Sequence, residues 1–158
     1  MNFNHFDDKG QAIMVDVSGK APTLRTAVAE ASVLMSPATL AAVSGGGVAK
    51  GDVLGVARLA GIAAAKRTPE LIPLSHPLAL HHVAVEFRID PDEGRIRAEA
   101  TVRAFERTGV EMEAMVAASV AALTIYDMCK GMDKGISISG VKLLFKEGGK
   151  SGTWRREP

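Results

Sequence analysis

The stretch Thr108-Gly-Val-Glu-Met-Glu-Ala-Met-Val-Ala-Ala-Ser-Val-Ala-Ala-Leu-Thr-Ile-Tyr-Asp-Met-Cys-Lys130 decides the fold. Two carboxylates, Glu111 and Glu113, open it, and an acid and a base, Asp127 and Lys130, close it. The apolar, alanine-rich run between them predicts a buried helix from near Glu111 to near Lys130. Charge beside a core is costly unless it is paired or used. A helix that keeps its charge for its two ends can aim both ends at polar sites. Asp127 and Lys130 are three apart, so they share a helix face.

Upstream, Val83, Val85, Phe87 and Ile89 alternate with Ala84, Glu86 and Arg88, the pattern of a half-buried strand. Asp90-Pro-Asp-Glu-Gly94 is a turn, with proline presetting φ and Gly94 tolerating a positive one. Ile96 to Ala104 alternates again and supplies the hairpin partner. Leu24 to Met35 reads as a strand by the same alternation. Ser36-Pro37 is a helix start, an N-cap serine followed by proline in the first turn, and Gly45-Gly-Gly47 ends that helix. Asp52 caps the next helix, in which Val53, Val56, Ala57, Ala60, Ala63 and Ala64 recur at helical spacing. Pro69 and Pro73 are expected to stop it and to force an extended stretch from Leu71 to Pro77. Ile136 to Lys146 is a last strand, bent or bulged at Gly140. Strand, helix, helix, strand, strand, helix, strand, in that order, places helices on one face of a largely antiparallel sheet: an α+β sandwich. Residues 1–14 read as a flexible arm and 15–158 as a single domain.

The formal net charge of +1 gives no overall field to recruit nucleic acid or an anionic membrane, so any anion site must be a local cluster of bases. Aromatics are only 4%, and the hairpin strands lack the exposed rings on which RNA-binding sheets stack bases. The abundant small side chains bury little surface per helix, which favours assembly with further copies. The single Cys129 excludes an internal disulfide and a cysteine-only zinc site. No basic-plus-apolar leader opens the sequence, and no apolar run reaches the roughly 18 residues of a membrane span. The expected location is the cytoplasm.

Lys50 follows the triple-glycine break and precedes a helix start, where backbone N–H groups favour anions; a solvated loop lysine is the plainer reading. His76 sits between two prolines in Pro73-Leu-Ser-His-Pro77, and His81 and His82 fall on opposite faces of a strand. No spacing of histidines and acids suits a metal. Glu147-Gly-Gly-Lys-Ser-Gly152 fails as a phosphate loop because Leu144 stands where the pattern needs glycine; it reads as a mobile glycine-rich tail.

Several of these segments together resemble the MoaC family of molybdenum-cofactor biosynthesis, the cyclic pyranopterin monophosphate synthases. They are Met14-Val-Asp-Val-Ser18, Lys50-Gly-Asp-Val53, Ala64-Ala-Lys-Arg-Thr68, Leu71-Ile-Pro-Leu-Ser-His-Pro77, Thr108 to Ala114, Ala117 to Lys130 and Gly148-Gly-Lys-Ser-Gly152. The resemblance implies a ferredoxin-like fold and a homohexamer built as a trimer of dimers, with sites between subunits. It implies a lyase that converts 3′,8-cyclo-7,8-dihydroguanosine 5′-triphosphate to cyclic pyranopterin monophosphate and diphosphate. Position by position it puts catalytic roles on Asp127, Lys50 and Lys130, and substrate binding on Leu74, Ser75, His76, Met112 and Glu113. Arg25, Glu111 and Lys146 are further site positions. Some members carry cysteine where this sequence has Ser75, which argues against thiol chemistry there. No cofactor is implied beyond magnesium carried on the triphosphate.

The residue chemistry agrees with that assignment. Lys50, Arg25, His76, Lys130 and Lys146 are suited to phosphates, and Glu113 to donors on a guanine-derived ring. Crowded lysines are expected to have lowered pKa values and so to serve as acids and bases. The residues alone leave a second reading open, a non-catalytic ferredoxin-like module that binds a small ligand.

Overall fold

A computed structural model describes residues 5–158. Part of the expected arm, residues 1–4, lies outside the described residues. From His5 the chain turns back on itself through a bridge between Phe6 and Ala12. Asp7 Oδ1 accepts from the backbone N–H of Lys9 and of Gln11 inside that turn.

The sheet runs β2-β3-β1-β4-β5, antiparallel throughout. Its strands are β1 Thr23–Leu34, β2 His82–Asp90, β3 Arg95–Glu106, β4 Ser137–Glu147 and the short β5 Trp154–Arg155. Helices α1 Pro37–Gly45, α2 Val53–Lys66, α3 Thr68–Leu71 and α4 Glu111–Cys129 complete the chain. The two βαβ halves, with β1 and β3 central, form the ferredoxin-like α+β arrangement.

Alanines build the centre. Ala27, Ala29 and Ala31 of β1 and Ala98, Ala100 and Ala104 of β3 are fully buried, as are Ala114, Ala117, Ala118, Ala121 and Ala122 of α4. Small side chains on both layers bring α4 close to the sheet. Gly61 does the same between α2 and α4: a Cβ there would lie 2.9 Å from Ala117 O and 3.0 Å from Val85 Cγ2. By length and composition α4 could cross a membrane, its 19 residues containing a sufficiently apolar window, contrary to the expectation from the sequence. Here it is the core helix, packed on β1, β3, β4 and α2.

The expected caps are present. Ser36 Oγ accepts from Thr39 N at 3.2 Å, and Asp52 Oδ1 accepts from Gly55 N at 2.9 Å. Gly140, at φ 61°, lies in the register break where β4 opposes β1 between Glu30 and Ser32. Three expectations need correction. Pro69 does not end helical structure: it sits in the first turn of α3, where its missing N–H is no loss. The stretch expected to be extended from Leu71 to Pro77 instead ends α3 at Leu71 and turns over residues 72–75. Residues 148–152 are a turn, with Gly152 N donating to Gly149 O, that returns the chain as β5 beside Phe145 and Lys146. A pairing of only two residues leaves too little alternation in the sequence to announce a strand.

Candidate active site

The two ends of α4 hold two separate polar clusters. At its N-terminal end a cleft of about 500 Å³ is lined by Leu74, Ser75, His76, Glu111, Met112 and Glu113, with Val15, Val17 and Lys20 across from them. After α3 the chain turns through Pro73, with Ser75 N donating to Ile72 O at 3.1 Å, and this turn brings Leu74, Ser75 and His76 to the cleft. His76 Nε2 lies 2.6 Å from Val15 O. A carbonyl only accepts, so Nε2 carries the proton, and Nδ1 is the nitrogen left for another partner. Ser75 Oγ is buried and has no hydrogen-bond partner among the described residues. Such a hydroxyl costs stability until something bonds to it, and a molecule in the cleft could do so.

Glu113, in the first turn of α4, is only 3% exposed. Burial is the main cause that pushes its pKa up to about 7; the nearby Glu111 adds to the rise, and a backbone hydrogen bond opposes it. The sequence reading makes Glu113 a plain carboxylate acceptor. In the structure it stands near the midpoint between acid and anion at neutral pH. Glu111 is paired, with Lys146 Nζ 2.5 Å from its Oε1. Lys146 lies opposite Ala27 in the β1–β4 register, on the sheet face that meets α4.

Arg25 on β1 is 9% exposed. It donates from Nε to Glu106 O at 3.3 Å, from Nη1 to Gly148 O at 3.2 Å and from Nη2 to Arg107 O at 3.2 Å. None of the ion pairs among the described residues includes it.

At the C-terminal end of α4, Asp127 lies between two ammonium groups. Lys130 Nζ is 2.8 Å from Asp127 Oδ1 and Lys50 Nζ is 3.3 Å from Oδ2. Lys50 also donates to Asp127 O at 2.8 Å. The glycine turn after α1, with Gly46 at φ 72° and Gly51 at φ 99°, carries Lys50 to this position. Lys50 therefore serves the C-terminal end of α4, where a cation suits the helix dipole, and not the start of α2, which Asp52 already caps. Hydrogen bonds from Lys130 and then Lys50 hold the Asp127 carboxyl below its ordinary range. The same Asp127 pushes Lys130 up. The expectation that crowding lowers the lysine pKa fails for Lys130, because a carboxylate stands between the two cations. Asp133, accepting from Ser36 N at 2.9 Å, ties the loop after α4 to the start of α1. Cys129 is buried, and burial raises its thiol pKa.

Fourteen residues at 1.5 Å rise separate Glu113 from Asp127, roughly 21 Å along α4. The structure thus brings Lys50, Asp127 and Lys130 together, and separately gathers Leu74, Ser75, His76, Met112, Glu111, Glu113, Lys146 and Arg25; one chain does not join the two groups. Lys20, Val15 and Val17 line the cleft although their side chains drew no attention in the sequence. Only the quoted Met14 to Ser18 segment hinted at this part of the wall. Among the described residues no three His, Cys, Asp or Glu side chains converge as a metal site would require.

Fold and clusters define a ferredoxin-like α+β protein with an aspartate held between two lysines at one end of its core helix and an open cleft at the other. The chain belongs to the MoaC family, whose model matches residues 14–149. It is 74% identical over 157 residues to the cyclic pyranopterin monophosphate synthase of Geobacter metallireducens, covering 99% of this chain and 98% of the relative. It is 75% identical over 157 residues to the synthase of that name from Geotalea uraniireducens, with the same coverage. The Rhodospirillum rubrum synthase is 60% identical over 150 residues, 95% of this chain and 90% of that one.

Proposed function

We propose that the chain is a cyclic pyranopterin monophosphate synthase, a lyase of molybdenum-cofactor biosynthesis. Its substrate is 3′,8-cyclo-7,8-dihydroguanosine 5′-triphosphate and its products are cyclic pyranopterin monophosphate and diphosphate. The observation that carries this reading is full-length likeness, at 73–75% identity, to relatives that bear this name. The site chemistry supports it. Diphosphate leaves when a substrate hydroxyl attacks the α-phosphorus and the bond from that phosphorus to the departing oxygen breaks. The attacking hydroxyl must lose a proton, and the leaving group gathers negative charge. A carboxylate held ionised by two lysines suits the first need, and ammonium groups suit the second. Glu113, poised near neutrality, and the unpartnered Ser75 hydroxyl suit donors and acceptors on the guanine-derived ring.

The separation of about 21 Å along α4 supports a site shared between copies. Lys50, Asp127 and Lys130 of one chain would face the cleft of another, in a hexamer of three dimers. The reading needs no resident cofactor; magnesium would enter with the triphosphate. It places the enzyme in the cytoplasm. Released diphosphate on incubation with the cyclised substrate tests the activity, with Asp127→Asn as control. No diphosphate above that control would refute it. Light scattering that gives only a 16.6 kDa species at micromolar concentration would refute the shared site.

A further inference from the structure

The cleft at the start of α4 has one more polar wall. His5 lines it together with Ser75, His76, Met112 and Glu113. It comes from the hairpin that opens the described chain, far from the others in sequence, and no role falls on it in the site described so far.

Three observations make this a built position. The first is the hairpin itself. A bridge between Phe6 and Ala12 closes it, and His5 O accepts from Ile13 N at 2.9 Å beside that bridge. At the tip Asp7 N donates to Gln11 O and Gly10 N to Asp7 O, both at 2.9 Å. The Asp7 carboxylate accepts from Lys9 N at 2.9 Å and from Gln11 N at 2.8 Å. Gly10 supplies the positive φ, 76°, that the turn needs. Residues 5–13 thus satisfy much of their own backbone locally. The second observation is how the hairpin hangs on the body. Two residues after Ile13, Val15 O lies 2.6 Å from His76 Nε2. A short relay therefore runs from His76 through Val15 and Ile13 to His5 O, and it sets the His5 backbone against the cleft. The third is what the hairpin leaves uncovered. Phe6, Ile13 and Met14 are 54%, 40% and 49% exposed, so the hairpin gains little from apolar burial. Of residues 5–13, His5 alone lines the cleft.

Its neighbours indicate which part of a ligand His5 meets. The cations Arg25 and Lys146 line an adjoining cavity of about 160 Å³, and His5 is not among its walls. His5 shares the cleft with the unpartnered hydroxyl of Ser75, the free Nδ1 of His76 and the carboxyl of Glu113. These groups suit the donors and acceptors of an uncharged ring. A neutral imidazole adds one N–H donor and one acceptor to that set.

We propose that His5 is a substrate-binding residue, carried to the cleft by the hairpin to pair with the guanine-derived ring, and that Asp7 is a positioning residue acting through it. The proposal rests on the reading of the chain as a synthase acting on a guanosine-derived triphosphate. Asp7 does not line the cleft; it fixes the turn from which His5 hangs.

The test has two arms. In the first, KM and kcat for the cyclised triphosphate are measured for wild type, His5→Ala, His5→Gln, Asp7→Ala and the double variant of Asp7→Ala with His5→Ala. His5→Ala should raise KM about tenfold while lowering kcat less than about threefold, the mark of lost binding. His5→Gln keeps a donor and an acceptor and should recover part of the loss. Asp7→Ala should raise KM by a smaller factor, and the double variant should be no worse than His5→Ala, because both changes act through one contact. In the second arm, wild type is carbethoxylated with diethyl pyrocarbonate and each histidine is read by mass spectrometry. Guanosine 5′-triphosphate, which shares the guanine frame and the phosphates, should slow labelling of the exposed His5 severalfold relative to the exposed His82. Unchanged KM in His5→Ala, or labelling of His5 that the nucleotide does not slow, would overturn the role of His5. Factors for the single variants that multiply in the double variant would overturn the role of Asp7. If wild type failed to turn over the cyclised triphosphate while the nucleotide still protected His5, the synthase reading would fail and His5 would stand as a ligand contact.

Discussion

Glu113 links stability to pH in a direction opposite to most carboxylates. Its folded pKa is about 7 against an ordinary value of 4.5. A raised carboxyl pKa means that the folded state holds the proton more tightly than the unfolded chain. Stability is then greatest below the unfolded pKa, falls as pH rises from about 4.5 to 7, and levels off above that. The rise from 4.5 to about 7, at about 1.36 kcal/mol for each unit, amounts to about 3.4 kcal/mol, of which roughly 2.5 kcal/mol falls between pH 5 and pH 8. Glu113→Gln keeps the shape and hydrogen-bonding capacity of the neutral acid and cannot ionise. The glutamine variant should therefore gain on wild type by about 2.5 kcal/mol between pH 5 and pH 8.

The assay is urea unfolding of both proteins at matched protomer concentration from pH 5 to pH 8.5. The quantity read is the difference between them, in which every other titrating group cancels. A difference flat to within about 0.5 kcal/mol across that range would refute the claim that burial dominates this carboxyl. Ligand binding gives an independent check. A donor on the substrate ring stabilises the ionised form, so binding near pH 7 should release a fraction of a proton. Calorimetry in two buffers of different ionisation enthalpy measures it, and zero release would count against contact between Glu113 and the ring donor.

Asp127→Asn should lower turnover on the order of a hundredfold or more with Tm nearly unchanged, because the carboxylate and both lysines are largely exposed; near-normal rates would make the cluster structural. Lys130→Ala should lose rate comparably. Gly61→Ala should destabilise by about 1–3 kcal/mol, since its Cβ would meet Ala117 O and Val85 Cγ2; an unchanged urea midpoint would show that α2 and α4 can part without cost.

What the sequence revealed depends on the range over which each signal acts. The cap at Ser36, the cap at Asp52 and the turn at Gly94 are set by residues within a few positions, and each is found where the sequence puts it. The alternation of β1, β2 and β3 and the apolar run of α4 record which face is buried, so the α+β layering was legible too. β5 was not, because two residues of pairing carry no period. The candidate site was legible as residue types but not as a place. Nothing near Lys50 in the chain says that its ammonium reaches Asp127, 77 positions away; that follows from α1, a glycine turn and α4 meeting in space. The carboxylate of Asp127 also reverses the expected effect on Lys130, whose pKa its hydrogen bond and charge raise. Arg25 shows the limit most clearly. In the sequence only the family resemblance marks it as a site position; in the structure three carbonyls from distant segments surround it without neutralising it. A buried cation held by neutral acceptors keeps an unmet preference for an anion.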